Sequence, residues 1–275
     1  MQPLRSRIAP TPSGYLHAGN ALNFLITQQL ARLSGGSVTL RIDDLDATRA
    51  RAEYVDDIFR SLQWLGLVWD EGPRNADDFF LNWSQRSRLA QAYALLEALL
   101  DAGHLYACTC SRKAVPTCSC RQRELPFDGP DTSWRLRVPA TCKVDIPELS
   151  GGYRTIDLAE RMPDPVLRQR SGLPAYQVMS LADDLAMRMT LIVRGEDLLP
   201  SSACQLHMAT LLGLASYRPV RFLHHPLLYD ARGRKLSKSE GADSLRAMRL
   251  SGASPDALHA QAAAMLAQFR TGTTM

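Results

Sequence analysis

The chain has 275 residues, of which 45% are apolar and 22% charged, with a formal net charge of +4. This composition fits a globular protein large enough to bury a core, and the mild positive charge permits an acidic partner such as RNA without requiring one. No apolar run approaches the roughly 20 residues of a membrane span, and Met1–Pro10 holds no apolar signal segment, so no membrane association and a cytoplasmic location are expected.

In chain order, Arg7–Ala9 reads as a short strand, followed by a Pro/Gly loop over Pro10–Gly14. A helix is predicted from about His17 to Leu33, with Leu22, Leu25, Ile26, Leu30 and Leu33 on one face and Gly35-Gly36 ending it. Val38, Leu40 and Ile42 alternate as a strand, which completes a parallel βαβ unit. Two further helices follow, one with Val55, Ile58, Phe59, Leu62 and Leu65 on its buried face, the other with Leu89, Tyr93, Leu96 and Leu100. Strands are then expected at Leu105-Tyr106, Trp134–Val138, Leu191–Val193 and Phe222–His224. Ser201 or Ser202 is the expected N-cap of a helix running through Leu212, and the last ~35 residues read as helical, with a frayed tail from Thr271. The pattern implies an α/β fold with a Rossmann-like, doubly wound parallel sheet.

Three clusters carry chemistry. The first is Arg7-Ile-Ala-Pro-Thr-Pro-Ser-Gly14-Tyr-Leu-His17-Ala-Gly19-Asn20, a loop feeding a helix start suited to phosphate, with His17 and Asn20 on one face and Gly19 leaving room for a flat base. The second, Arg234-Lys235-Leu-Ser237-Lys238-Ser239, puts cations and hydroxyls on a glycine-flanked loop that could hold a polyphosphate. Singly, each also suits a plain reading: a capped core helix, or a solvated basic loop. The third is Cys108-Thr-Cys110, seven residues, then Cys118-Ser-Cys120. Four thiolates at this spacing suit tetrahedral Zn²⁺, with free thiols as the alternative; Cys142 and Cys204 stand apart. No basic patch interleaved with aromatics is visible, and the arginine-rich stretches 161–170 and 246–249 suit RNA or a solvated face equally.

Together, the first two clusters resemble the paired signatures of class I aminoacyl-tRNA synthetases. Leu40-Arg-Ile-Asp-Asp-Leu-Asp46, Ala175-Tyr176, Asp183-Asp184 and Val193-Arg194-Gly195-Glu196-Asp197 are similar to glutamyl-branch motifs, in that branch's order, over roughly residues 5 to 250. The resemblance implies an ATP-dependent ligase that forms glutamyl-adenylate. It places glutamate against Arg7, Ala9, Thr11, Asp43, Tyr176 and Arg194, and ATP against His17, Gly19, Asn20, Ser237 and Lys238. His17, Asn20, Lys235 and Lys238 would be catalytic, and Mg²⁺ would accompany the ATP. It implies one structural Zn²⁺ on Cys108, Cys110, Cys120 and either Cys118 or a different fourth ligand. The family usually has Glu where this chain has Asp43, so the substrate amine could meet Asp43 across a shorter reach, a bridging water, or instead Asp44 or Asp46.

The resemblance further divides the chain into a first catalytic half at 1–103, a cysteine-containing insert at 104–165, a second half at 166–229, and a loop and helical region at 230–275, without an anticodon-binding domain. Because the sequence stops 36 residues after Ser239, it resembles truncated glutamyl-branch enzymes that act as monomers on queuosine in the anticodon loop of tRNA(Asp). Three alternatives stay open: a catalytic domain charging the 3′ end of tRNA(Glu), a nucleotidyl transferase of the wider His-x-Gly-His superfamily acting on a small molecule, and a non-catalytic RNA-binding or regulatory zinc protein.

Overall fold

The computed structural model describes residues 3–46, 50–110, 118–227 and 244–271. The first strand, β1 (Arg5–Ile8), leads through a proline-containing loop into helix α1 (Ala18–Leu33) and strand β2 (Ser37–Leu40). β1 and β2 pair in parallel, with Arg7 opposite Thr39 and Ile8 opposite Leu40. The predicted βαβ unit is therefore present. Leu22, Leu25 and Ile26 of α1 are buried as expected, whereas Leu33, the last residue of the helix, is 69% exposed. The turn that follows is tight: a Cβ on Gly36 would lie 1.9 Å from the Leu4 carbonyl oxygen.

Helices α2 (Ala52–Trp64), α3 (Ala76–Asp78) and α4 (Ala90–Asp101) come next. α4 leads to β3 (Leu105–Cys108), β4 (Ser133–Leu136), the hairpin β5 (Lys143–Pro147) and β6 (Tyr153–Asp157), the short α5 (Leu158–Arg161) and β7 (Val166–Arg168). β3, β4 and β7 form an antiparallel sheet, and β5 pairs antiparallel with β6. A second parallel unit follows: α6 (Tyr176–Ala186), β8 (Leu191–Gly195), α7 (Leu199–Leu211) and β9 (Arg221–His225), with β8 and β9 parallel. α8 (Leu245–Leu250) and α9 (Asp256–Thr271) close the described chain.

The expected doubly wound sheet is present in arrangement but not as one continuous ladder. Among the described residues the parallel strands form two pairs, β1–β2 and β8–β9. β1 and β8 are joined instead by three contacts at one end: Thr190 N to Arg5 O at 2.9 Å, Arg5 N to Thr190 Oγ1 at 2.9 Å, and Ser6 Oγ to Leu191 O at 2.9 Å. The crossover from β1 runs to β2 on one side and that from β8 to β9 on the other. The carboxyl ends of β1 and β8 thus meet at a topological switch point, where open α/β sheets bind ligands.

One apolar cluster joins β1, α1, β2 and α2 to α9, and a second joins α4, the antiparallel strands, α6 and α7. Strands β4, β5 and β7 contribute to that second core with α6 and α7, whereas Tyr106, Cys108 and Cys120 form a small cluster of their own. α7 begins at Leu199 with Pro200 in its first turn, ahead of the serines expected to cap it. Proline fits a first turn because its missing N–H would have no partner there, and it releases Ser201 and Ser202 to face the interior. Ile8 lies beneath the cleft and is fully buried. Ile8→Ala is expected to lower unfolding free energy by about 2–5 kcal/mol, measured by urea denaturation; a loss under about 0.5 kcal/mol would contradict the packing described.

Candidate active site

A cavity of about 520 Å³ opens at the switch point. Its walls include Arg7, Ala9, Thr11, His17, Gly19, Asn20, Asp43, Tyr176 and Arg194, all predicted from sequence and separated by up to 187 positions in the chain. Arg41, Asn23, Phe24, Val193, Gly195, Asp197, Leu198, His225 and Leu227 complete it.

One wall is built by the start of α1. His17 is the N-cap: its Nδ1 accepts from Gly19 N at 3.1 Å, and the Asn20 side chain accepts from His17 N at 3.1 Å. This reciprocal cap fixes both side chains and leaves the proton of a neutral His17 ring on Nε2. A Cβ at position 19 would lie 2.9 Å from His17 Cε1, so the cap and the glycine require each other. Beside them, Asn23 Nδ2 lies 3.1 Å from His225 Nε2, and His225 Nδ1 is 2.9 Å from Pro226 O. Burial pushes the His225 pKa down, so the ring is neutral and accepts from Asn23.

The opposite wall is a buried ionic network centred on α6. Asp184 Oδ1 accepts from Arg7 Nε at 3.0 Å and from Arg41 Nη1 at 2.7 Å. Ser180, one helical turn earlier, accepts from Arg41 Nη2 at 3.3 Å and Arg194 Nη2 at 3.2 Å. Arg194 Nη1 also reaches Ser202 Oγ at 3.0 Å and Gln205 Oε1 at 2.7 Å. Burial alone would raise the Asp184 pKa, but Arg7, Arg41 and Arg194 together hold it below the usual carboxylate range. Arg7 is shifted down, chiefly by burial and then by the neighbouring arginines, against the pull of Asp184.

Asp43 is gripped at both oxygens by Arg41, Nε to Oδ1 at 2.8 Å and Nη2 to Oδ2 at 3.2 Å. Burial raises its pKa, with Arg41 opposing. Of the three aspartates the sequence offered, Asp43 lines the cavity. Asp44 turns away, accepting from Ser84 Oγ at 2.6 Å and Gln85 N at 2.7 Å. Arg41 is a site residue for which the sequence motif implies no role. The available signal was a charged set, Arg41 and Asp43, alternating with buried Leu40 and Ile42.

Arg234, Lys235, Ser237, Lys238 and Ser239 lie outside the described residues. The residues flanking that segment do reach the site: Leu227 lines the cavity, Ser244 forms a bridge with His17, and Leu245 N donates to Leu16 O at 2.7 Å. On this side the fold assembles what the linear sequence did not display, a basic and aromatic ladder. Arg246 lies 4.7 Å over the Tyr15 ring, Tyr15 packs edge-on to Tyr54 at 5.0 Å, and Arg51 lies 5.8 Å from the Tyr54 ring. Arg249 of the same stretch pairs with Asp57 at 2.5 Å, so it is not simply solvated.

The four clustered cysteines converge, their sulfurs all within 4.8 Å of one another. Cys108 Sγ is 3.7 Å from Cys118 Sγ, and Cys110 Sγ is 3.6 Å from Cys120 Sγ. A tetrahedron with Zn–S bonds of about 2.3 Å has edges of about 3.8 Å, so the sulfur set fits Zn²⁺, Cys118 included. All six cysteines are unbridged.

Asp184→Asn would leave Arg7 and Arg41 without their shared charge in a buried site, and a stability loss of about 3–5 kcal/mol at neutral pH is expected. The pH dependence follows from the depressed carboxyl. Its contribution is complete above the unfolded value of about 4 and disappears as pH falls through the lower folded value, so the variant should lose this part of the acid limb. Equal stability of both proteins across pH 3–8 in denaturant titrations would contradict the network.

Comparison with known proteins bears on this geometry. The family model described as tRNA synthetases class I (E and Q), catalytic domain, matches residues 3–125 and 117–265. A glutamyl-Q tRNA(Asp) synthetase from Nitratidesulfovibrio vulgaris is 36% identical over 277 aligned positions, covering 90% of this chain and 82% of that protein. One from a Synechococcus species is 38% identical over 262 positions, covering 90% and 78%. The solved glutamate-tRNA synthetase of Elizabethkingia anophelis superposes with a TM-score of 0.72 at 24% identity, covering 91% of this chain and 54% of its own, which speaks to the fold. With the residues of the first signature gathered at one cavity and the family model spanning residues 3 to 265, the chain belongs to the class I aminoacyl-tRNA synthetases, in their glutamate and glutamine branch, and is a ligase of that family.

Proposed function

We propose that the chain joins glutamate to the α-phosphate of ATP in the described cavity and passes the glutamyl group to queuosine in the anticodon loop of tRNA(Asp). The observation that carries the first step is the pairing of a three-arginine wall around Asp184 with the capped start of α1 across one cavity. Arg7 and Arg194 would take the substrate side-chain carboxylate, and Asp43, held by Arg41, its ammonium; Ala9, Thr11 and Tyr176 would shape the space between. The helix start, His17 and Asn20 would steady the phosphates, with Gly19 under the adenine. An α-carboxylate oxygen of glutamate attacks the α-phosphorus, an O–P bond forms, and pyrophosphate leaves. The site needs no side-chain nucleophile, only placement and preorganised charge. Lys235, Ser237 and Lys238 would stabilise the charge developing at the α-phosphate, and Mg²⁺ would supply further screening of the phosphates.

The acceptor reading draws support from the relatives named glutamyl-Q tRNA(Asp) synthetase, of which this chain covers 82% and 78%. We further propose that residues 104–165 form the acceptor-side insert, with one structural Zn²⁺ on Cys108, Cys110, Cys118 and Cys120, between catalytic halves at 1–103 and 166–229. The 230–275 segment would carry the phosphate loop and helical region. In this reading the enzyme works as a monomer in the cytoplasm. No helix among the described residues is long and apolar enough to cross a membrane.

The acceptor is tested with labelled glutamate, ATP and tRNA(Asp) with or without queuosine, alongside tRNA(Glu). Label is expected only on queuosine-bearing tRNA(Asp); label on tRNA(Glu), or equal label without queuosine, would remove the acceptor assignment. His17→Ala and Lys238→Ala should each lower adenylate formation by about 10²–10³ with glutamate binding little changed, and unaltered rates would dissolve the nucleotide-site assignment. Metal analysis of protein purified without added zinc should return one Zn²⁺ per chain. Full occupancy in a Cys118→Ser variant would point to a different fourth ligand.

A further inference from the structure

The three arginines of the wall differ in how their charge is met. Arg7 donates to Asp184, and Arg41 donates to both Asp184 and Asp43. Arg194 donates only to neutral oxygens among its resolved hydrogen bonds: Ser202 Oγ, Gln205 Oε1 and Ser180 Oγ. Its nearest ion-pair partner, Asp184 Oδ2, lies 3.7 Å from Nη2, beyond hydrogen-bond distance. The group behind Ser202 is also uncharged. His224 Nε2 is 2.9 Å from Ser202 Oγ, and burial, then Arg194 itself, push the His224 pKa down to about 3. The shortest of the Arg194 bonds is the one to Gln205, which is fully buried on α7. The orientation of its amide is fixed from the other end, because Nε2 donates to Gln177 O at 3.3 Å. Gln205 therefore presents oxygen, not nitrogen, to the arginine.

We infer that Gln205 is a specificity-determining residue: by seating Arg194 with a neutral oxygen, it adds no second anion to the single shared carboxylate, Asp184, that lies 3.7 Å away, leaves the guanidinium with charge to offer an anionic substrate side chain, and so selects a carboxylate over an amide. This rests on the glutamate reading given above. Physically, a buried cation with a carboxylate already at 2.7 Å would gain little from a second anion, and a neutral amide substrate would then compete on nearly equal terms. A neutral acceptor gives the same geometry without that cancellation. Gln205 itself stands outside the cavity lining and acts through Arg194, so it is a positioning residue.

The test is pyrophosphate exchange with glutamate and with glutamine for wild type, Gln205→Glu and Gln205→Met. Gln205→Glu keeps shape and places a carboxylate on Arg194. Its KM for glutamate should rise roughly 30-fold or more and its kcat/KM preference for glutamate over glutamine should fall at least roughly tenfold, with KM for ATP within about threefold of wild type. Gln205→Met removes the acceptor without adding charge; it should raise the glutamate KM by less than about tenfold and keep the preference. A preference within twofold of wild type in Gln205→Glu, or an equal loss in both variants, would overturn the inference while leaving glutamate activation standing. Should Gln205→Glu prove insoluble, Ser202→Asp puts a carboxylate on the same Arg194 nitrogen, with the same expected and contrary results. A wild type with no glutamate-dependent exchange would remove the functional reading and this inference with it.

Discussion

Everything on the amino-acid side of the cavity depends on one buried carboxylate. Asp184 is fully enclosed on α6, yet it remains ionised because Arg7, Arg41 and Arg194 surround it. Three guanidinium groups brought together without it would repel one another, and each would carry a large desolvation cost. With it, β1, β2, β8 and α6, four elements distant in sequence, are tied at one point just where their strands end. Such a network is weak as a source of stability compared with apolar packing, but it is specific in geometry. It fixes where each arginine fork lies before any substrate arrives, the kind of preorganisation that electrostatic recognition requires.

The wall at the start of α1 is organised differently, around a helix N-terminus and its cap. The cap formed by His17 and Asn20 spends both side chains on the first turn of α1, and Gly19 permits it by lacking a Cβ. The cleft therefore joins a rigid ionic wall to a helix start, linked by the loop that follows β1: Arg7 lies near the end of the strand and His17 ten residues further on. The return of the chain at Ser244 beside His17 closes this side. The two halves of the cavity are consequently parts of a single switch point in the sheet, even though the backbone ladder between β1 and β8 is replaced by side-chain and end contacts.

Much of this was legible in the sequence. Periodicity located α1, α2, α4 and the strands β1–β4, β8 and β9 to within a few residues, since their buried faces follow the helical or alternating period, whereas β5, β6 and β7 were not expected. The motifs brought Arg7, His17, Asn20, Asp43, Tyr176 and Arg194 to one cavity. What periodicity cannot carry is pairing between distant segments. Nothing in the local sequence distinguishes Asp184 as the shared carboxylate from Asp183, which pairs instead with Arg88 at 2.7 Å. Gln205 and Ser180 read as ordinary polar residues on helices, and their meaning appears only when Arg194 is seen between them. The start of α7 was misplaced for a similar reason: serine is a common cap, but here its hydroxyl serves the interior and proline takes the first turn. The ladder of Arg51, Tyr54, Tyr15 and Arg246 likewise draws on three separate segments and so left no trace in any one of them.

The central claim is that the cavity activates a dicarboxylic amino acid with ATP by means of this prebuilt charge. The most direct measurement is exchange of labelled pyrophosphate into ATP by the purified chain, without any RNA, in the presence of glutamate, glutamine or aspartate. The account predicts exchange that depends on glutamate, with glutamine and aspartate far weaker. Exchange supported best by glutamine, or none with any of the three, would contradict it.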